Sequence, residues 1–191
     1  MNILYVHGFK SQFKEQSDKV RALNKIGKVY GVTLDYTNTF CEIKSVLHKV
    51  VLEKSIDLIV GTSLGGFYSA ILGASAGIPF VAINPAIDPI MTLNKYIGDG
   101  VTFSGEAYTL KEEIILDYPD FPLDGCGFIL LDLGDDLINA KQTRAALEKA
   151  YRMKVFNGGS HRFMHINESL DEIKGFFETS SFVYGFGADD D

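Results

Sequence analysis

The stretch that decides the fold is Asp57-Leu-Ile-Val-Gly61-Thr-Ser63-Leu-Gly65-Gly66-Phe67. Its first five residues are mostly apolar and predict a short buried strand. The apolar run over residues 64–76 predicts a buried helix that ends near Gly77. Ser63 therefore lies at the joint, inside the pattern G-x-S-x-G. This pattern is typical of a nucleophile elbow, a turn so tight that the serine is held strained above the edge of the sheet.

Other glycine-rich motifs are alternatives for this stretch. Gly61 and Gly66 have the glycine spacing of a phosphate-binding P-loop, but Phe67 stands where that loop needs a lysine. The dinucleotide-binding pattern G-x-G-x-x-G is not matched. A glycine-rich turn with a chemically idle serine is also common, so the pattern alone does not establish a function.

The bulk composition excludes several classes of protein. The chain has 191 residues, 46% of them apolar, and no Pro/Ser-rich linker, so residues 1–191 are expected to form one domain, with 187–191 as a flexible acidic tail. A net charge of −7 argues against a nucleic-acid or anionic-membrane surface. No stretch reaches transmembrane length, and residues 1–7 lack the basic start of a signal peptide. Two cysteines in a chain this long favour a cytoplasmic protein with reduced thiols.

Strands and helices alternate along the chain. Strands are predicted at residues 2–6, 28–36, 57–61, 79–84, 127–133 and 152–157, and helices at 17–26, 39–54, 64–76, 140–151 and 168–178. Because each strand is nearly continuous in Val, Ile, Leu and Phe, both faces of the sheet are expected to be covered. The predicted class is α/β, with a mostly parallel sheet of about six strands and helices on both faces.

The longest interruption between the predicted core strands is residues 87–125. Asp88-Pro89 predicts the start of a short helix. Residues 99–125 are expected to be irregular apart from a helix opened by a capping box at Thr109-x-x-Glu112. Insertions of this kind usually shape the pocket above the strand ends, so residues 87–125 are predicted to form a small cap.

Polar groups follow four strands of the predicted sheet. His7-Gly8-Phe9 follows the first strand and Ser63 the third, whereas Asp135 and Asp136 follow the fifth and His161 the sixth. The carboxyl ends of parallel strands meet at one edge of the sheet, where such folds bind their ligands. We therefore expect these groups to converge although the sequence scatters them.

Ser63, His161 and an aspartate have the residue types of a catalytic triad. A serine hydroxyl needs a base to take its proton, and His161 can be that base. A carboxylate on the other ring nitrogen fixes the tautomer and stabilises the imidazolium. The chain order Ser, Asp, His is the one that α/β hydrolases use. Asp135 and Asp136 are both candidates, but neighbouring side chains near a strand end point in opposite directions; Asp135 is preferred because Gly134 permits a sharp turn before it.

Attack on an ester creates an oxyanion, which needs hydrogen-bond donors already in place. The backbone N–H of Leu64, at the start of a helix, is predicted to supply one donor. The second is expected from Phe9 or Lys10 in the loop after the first strand, with Phe9 preferred. Gly8 allows this loop to approach closely.

Several segments together resemble the YqiA-type esterases, small bacterial members of the α/β-hydrolase superfamily. The segments are residues 2–9, the elbow at 61–66, Asn84-Pro-Ala86, Thr102–Glu113, Gly134-Asp-Asp136 and Gly158–Phe163. The resemblance runs from Met1 to about Phe177. It implies a compact α/β-hydrolase fold and hydrolysis of short-chain carboxylic esters or thioesters without a cofactor. It also implies Ser63 as nucleophile, His161 as base and Asp135 as the residue that orients the base.

Other histidines and aspartates are not predicted to take part in catalysis or metal binding. His161 and His165 are four residues apart, but Gly-Gly-Ser before them indicates a loop and no further ligand clusters nearby, so no metal is predicted. The side chain of His7 is expected to be buried and hydrogen-bonded. Asp132 lies inside a buried strand and is expected to point to the sheet face rather than to the site.

The sequence predicts a serine esterase or thioesterase that acts on a small-molecule acyl ester or thioester through an acyl-enzyme. A binding or regulatory protein that keeps the scaffold without turnover is the alternative from another class. The complete set of Ser, His and Asp weighs against it. A peptidase or a lipase acting at membranes is disfavoured by the short cap, and no stable membrane association is expected.

Overall fold

The computed structural model describes residues 1–183, which form eight strands and seven α-helices. The strands are β1 (Asn2–Val6), β2 (Lys28–Tyr30), β3 (Leu58–Thr62), β4 (Phe80–Ile83), β5 (Gly98–Val101), β6 (Ala107–Leu110), β7 (Gly127–Asp132) and β8 (Arg152–Phe156). The helices are α1 (Asp18–Leu23), α2 (Phe40–Lys54), α3 (Leu64–Ala76), α4 (Pro89–Asn94), α5 (Glu112–Leu116), α6 (Ala140–Leu147) and α7 (Leu170–Val183). The tail predicted at residues 187–191 lies outside the described residues. In residues 1–183 no helix is both long and apolar enough to cross a membrane.

Six of the strands form one sheet in the order β2-β1-β3-β4-β7-β8, and every pair in it is parallel. The predicted α/β fold with a six-stranded parallel sheet is therefore confirmed. The register pairs Val6 with Gly61 and Thr62 with Ile83, so the carboxyl ends of β1, β3 and β4 lie side by side. The loops that leave these ends share one edge of the sheet.

Alternate residues of the strands enter two different apolar clusters. In β1, Ile3 and Tyr5 belong to the cluster covered by α1 and α7, whereas Leu4 and Val6 belong to the one covered by α2, α3 and α6. Burial on both faces explains why the strands are nearly continuous apolar runs instead of alternating ones.

Residues 87–125 contain more regular structure than predicted. β5 and β6 pair antiparallel as a hairpin, from Gly98 opposite Leu110 to Val101 opposite Ala107. The capping box predicted at Thr109 is wrong, because Thr109 lies in β6 and its hydroxyl donates to Asp99 Oδ1 at 2.6 Å. The residue that precedes α5 is Lys111, whose side chain makes no capping bond.

The second strand is shorter than predicted, since β2 ends at Tyr30 rather than at Tyr36. The chain then leaves the sheet and packs against the loop after β1. There the Leu34 N–H donates to His7 Nε2 at 2.9 Å and the Tyr36 hydroxyl donates to the His7 carbonyl. Residues 31–36 thus support the loop in place of extending the sheet.

Candidate active site

Ser63 joins β3 to α3 in a conformation that non-glycine residues rarely adopt, with φ 58° and ψ −123°. The two flanking glycines permit this turn. A Cβ atom on Gly61 would lie 1.9 Å from the Gly65 carbonyl oxygen, and one on Gly65 would lie 2.1 Å from the Val6 oxygen. Strand and helix therefore approach backbone to backbone, and the serine projects from the joint between them.

Ser63, His161 and Asp135 lie within hydrogen-bond distance of one another in a chain. His161 Nε2 is 3.0 Å from Ser63 Oγ, and His161 Nδ1 is 2.8 Å from Asp135 Oδ2. A carboxylate can only accept, so the ring proton sits on Nδ1 and the lone pair of Nε2 faces the serine hydroxyl. This is the tautomer in which the imidazole can accept the serine proton.

The two adjacent aspartates after β7 have different surroundings. The side chain of Asp135 is 1% exposed, and its Oδ1 also accepts from the Leu137 and Ile138 N–H groups at 2.8 Å each. Asp136 is exposed to solvent. The geometry therefore brings Asp135, and not its neighbour, to His161.

The loop after β1 lies beside Ser63. An added Cβ on Gly8 would meet Ser63 Cβ at 3.1 Å, so the two segments are in contact. Within residues 1–183 the backbone N–H groups of Phe9 and Leu64 have no hydrogen-bond acceptor. Leu64 is the first residue of α3, where N–H groups are free and the helix dipole favours negative charge. The arrangement leaves two unused donors next to the serine.

His7 is buried at the start of that loop and has a structural environment. Its Nε2 accepts from the Leu34 N–H, so Nδ1 carries the ring proton and donates to the Gly8 carbonyl at 2.8 Å. Burial lowers the pKa of His7, and the hydrogen bond to Gly8 opposes this shift. The side chain of His7 is thus buried and hydrogen-bonded, as the sequence predicted.

A cleft of about 570 Å³ opens over Ser63 and His161. It mixes apolar side chains such as Phe103 and Met164 with polar ones such as Lys19. Burial lowers the pKa of Lys19, whose Nζ donates to the Arg162 carbonyl in the loop of His161. The cleft is thus open to a small molecule, and its polar wall touches the histidine loop.

Comparison with models of known protein families shows the family of this chain. The model of an uncharacterised protein family, UPF0227, matches residues 2–178. The chain belongs to the UPF0227 family. A UPF0227 protein of Vibrio atlanticus is 28% identical over 181 residues, which cover 91% of this chain and 98% of that protein.

Solved structures similar to this UPF0227 chain share its fold. Est1E from Butyrivibrio proteoclasticus superposes with a TM-score of 0.70 at 18% identity, covering 94% of this chain and 87% of Est1E. Mouse α/β-hydrolase domain-containing protein 10 gives 0.68 at 14% identity, covering 93% and 90%. The predicted resemblance is confirmed at the level of the UPF0227 family and of the α/β-hydrolase fold.

Asp132 of the UPF0227 chain binds the loop that carries His161, although the sequence predicts that it points to the sheet face. Its side chain is fully buried, and Oδ2 accepts from the Ser160 N–H at 3.1 Å and the Met164 N–H at 2.9 Å. Its Oδ1 lies 2.6 Å from His165 Nδ1. An aspartate inside an apolar strand is the signal for such a role, because a buried carboxylate needs partners.

Asn84, at the end of β4, holds the same loop from another strand. Its amide Nδ2 donates to the carbonyls of Ser160 and His161 at 3.0 and 3.3 Å, and its Oδ1 accepts from the Asp132 N–H at 2.9 Å. Its φ of 42° is one that asparagine tolerates better than most residues. The dipeptide Asn84-Pro85 at a strand end indicates a turn but not this contact.

The two nearby histidines of the UPF0227 chain do not share a ligand. His161 faces Asp135, whereas His165 faces Asp132 and stacks on Phe156 with ring centroids 4.5 Å apart. Within residues 1–183 no group of three or more His, Cys, Asp or Glu side chains could hold a metal ion.

Proposed function

We propose that the chain is a serine hydrolase that cleaves short-chain carboxylic esters or thioesters, with Ser63 as nucleophile, His161 as base and Asp135 as its orienting carboxylate. The observation that carries the proposal is the Ser63 Oγ to His161 Nε2 distance of 3.0 Å, continued to Asp135 at 2.8 Å. A serine on a strained turn with a correctly protonated imidazole beside it has the geometry for acyl transfer.

The acylation step uses this arrangement directly. Ser63 Oγ bonds to the carbonyl carbon of the substrate as its proton moves to His161 Nε2, and the carbonyl electron pair moves onto oxygen. The oxyanion accepts hydrogen bonds from the free N–H groups of Leu64 and Phe9. When the tetrahedral intermediate collapses, the bond to the leaving group breaks and His161 gives it the proton.

Water completes the cycle by the same groups. His161 takes a proton from a water molecule as the water oxygen attacks the acyl carbon of the acyl-enzyme. The ester bond between the acyl carbon and Ser63 Oγ then breaks as His161 returns the proton to Ser63 Oγ. Asp135 holds the imidazole in one tautomer and stabilises the imidazolium in both steps. The chemistry needs no cofactor, and none is proposed.

The proposed substrates are small acyl esters or thioesters. A cleft of about 570 Å³ suits such molecules, and residues 87–125 are proposed as a cap that limits acyl length. The cytoplasm is the proposed compartment, on the composition alone. The proposed partners include neither nucleic acid nor a membrane surface, because the net charge of −7 repels both.

Labelling with a fluorophosphonate, together with p-nitrophenyl butyrate hydrolysis, tests the proposal. Wild type should be labelled and active, and Ser63→Ala should lose the label and about 10⁴- to 10⁶-fold in kcat, as removal of a triad nucleophile does. The matched control is Ser45→Ala, an exposed serine on α2 outside the cleft, which should keep both. A Ser63→Ala variant within about tenfold of wild type contradicts the assignment. An unlabelled wild type instead favours the binding-protein alternative.

A further inference from the structure

The tip of the β5–β6 hairpin reaches the cleft that holds Ser63. Phe103, at this tip, is 72% exposed although its ring is large and apolar, and it lines the cleft. Met164, beside the loop of His161, is 67% exposed and lines the same cleft. Exposed apolar side chains next to a reactive serine form a surface for an apolar part of a ligand.

The backbone of the hairpin tip is bonded to the loop after β1. The Phe103 N–H donates to the Lys10 carbonyl oxygen at 2.8 Å. Lys10 has a φ of 61°, an uncommon value for a lysine, and it directly follows Phe9. The bond therefore fixes the chain one residue after the proposed oxyanion donor.

Aromatic contacts join the same two segments. The Lys10 ammonium lies 5.5 Å from the ring centroids of Phe103 and Tyr96, and 6.0 Å from that of Tyr108. The ring of Phe9 lies 5.2 Å from Tyr96 and 5.3 Å from Tyr108. The lysine among aromatic rings and the two aromatic pairs therefore hold the loop against the hairpin, and against Tyr96 just before it, through side chains as well.

We propose that the hairpin tip is part of the active site: the ring of Phe103 binds the acyl chain of the substrate, and its backbone N–H positions the oxyanion loop. The inference rests on the proposed function. It gives Phe103 two separable roles, one in its side chain and one in its backbone. An acyl chain seated on the ring would contact the element that holds Phe9 in place.

The turn at the tip allows the two roles to be separated. The Gly105 N–H donates to the Thr102 carbonyl at 3.1 Å, so Phe103 is the second residue of a β-turn. Proline is favoured at this position of a turn. Phe103→Pro therefore removes the N–H and the ring while keeping the turn, whereas Phe103→Ala removes the ring and keeps the N–H.

The test measures kcat and KM with p-nitrophenyl acetate, butyrate and hexanoate. Phe103→Ala should lose about tenfold in kcat/KM for hexanoate relative to acetate, through KM, since two or more methylene contacts are lost. Phe103→Pro should lose at least a further factor of about ten in kcat with all three esters, because a displaced oxyanion donor weakens transition-state binding, and complete loss of a donor typically costs about 10²–10³. Leu52→Ala, an exposed leucine on α2 outside both the cleft and residues 87–125, is the matched control and should behave as wild type.

Equal kcat values in the alanine and proline variants, or an unchanged chain-length profile in the alanine variant, would overturn the inference. If Phe103→Pro does not fold, Lys10→Gly replaces it. Glycine adopts the φ of 61° found at Lys10 but also many other values, so the loop should become more mobile in this variant. We then expect kcat to fall while KM is unchanged, and an unchanged kcat would overturn the positioning role. A wild type that neither turns over esters nor takes the fluorophosphonate label overturns the proposed function and this inference together. Turnover with insensitive variants overturns the inference alone.

Discussion

Replacing the buried carboxylate of Asp132 with an amide should loosen the loop that carries His161. In Asp132→Asn the shape is kept, and the amide oxygen can still accept from the Ser160 and Met164 N–H groups. The amide nitrogen then faces His165 Nδ1, which has to give up its proton to accept. All three contacts lose the ionic partner that they have in the wild-type chain.

The size of the effect can be worked from these three hydrogen bonds. A hydrogen bond to a charged group is worth about 1.5–3 kcal/mol and a neutral one about 0.5–1.5 kcal/mol, so each bond weakens by about 1 kcal/mol. The free energy of unfolding should therefore fall by about 3 kcal/mol, a large part of the 5–15 kcal/mol typical of a protein. A loop displaced by about 1 Å should also lower kcat by about 10- to 100-fold.

Urea unfolding and p-nitrophenyl butyrate hydrolysis measure the two effects. Asp136→Asn makes the same chemical change on an exposed carboxylate four residues away and is the control. If Asp132 positions the loop, kcat should fall at every temperature below the unfolding transition while KM stays within about threefold. If the variant is only partly unfolded, the fraction of active enzyme should fall instead, and the activity should recover on cooling. Asp132→Asn with stability within about 0.5 kcal/mol of wild type and an unchanged kcat would refute the reasoning.

Two further predictions concern a carboxylate and a histidine. Asp135→Asn should lower kcat by about 10⁴-fold and Asp136→Asn by less than about tenfold, with both variants assayed on one ester. A larger loss in Asp136→Asn than in Asp135→Asn would reverse the assignment. Burial lowers the pKa of His7 below its ordinary value of 6.5, so between the folded-state pKa and 6.5 the unfolded chain binds more protons than the folded chain. The free energy of unfolding should then fall as the pH falls, by up to about 1.4 kcal/mol per pH unit. Urea titrations between pH 7.5 and 5 check this, and a His7→Gln variant with the wild-type slope would contradict it.

The sheet and the convergence of the polar groups could be predicted because both depend on local patterns. A buried parallel strand needs a continuous apolar run, and the loop after each such strand must lie at the carboxyl edge of the sheet. The strand positions alone therefore predict that Ser63, Asp135 and His161 come together. The choice between Asp135 and Asp136 uses the alternation of side chains and the freedom of Gly134, which are also local.

The hairpin and the hydrogen bonds from the histidine loop to Asp132 could not be predicted, since each depends on a contact between two segments and not on the pattern within one. Gly98-Asp-Gly-Val101 has two glycines and no alternation, so nothing in it indicates a strand until β6 pairs with it. Thr109 matches a capping box in the sequence, but its hydroxyl binds Asp99 on the neighbouring strand instead. The partners of Asp132 lie 28 to 33 residues further along the chain, beyond the reach of any local pattern.

A single turn at the end of β7 sets the position of both carboxylates that act on the histidine loop. The Asp135 N–H donates to the Asp132 carbonyl at 3.1 Å and closes the turn over residues 132–135. A Cβ atom on Gly134 would lie 2.6 Å from the Gly159 carbonyl oxygen, so the turn and the histidine loop touch backbone to backbone. Asp132 accepts hydrogen bonds from backbone N–H groups of the histidine loop, whereas Asp135 contacts the imidazole of His161. Because both carboxylates lie in the turn over residues 132–135, this turn fixes the distance between them. The turn and Ser63 follow strands of the same sheet, so the sheet also fixes the position of the imidazole relative to the serine.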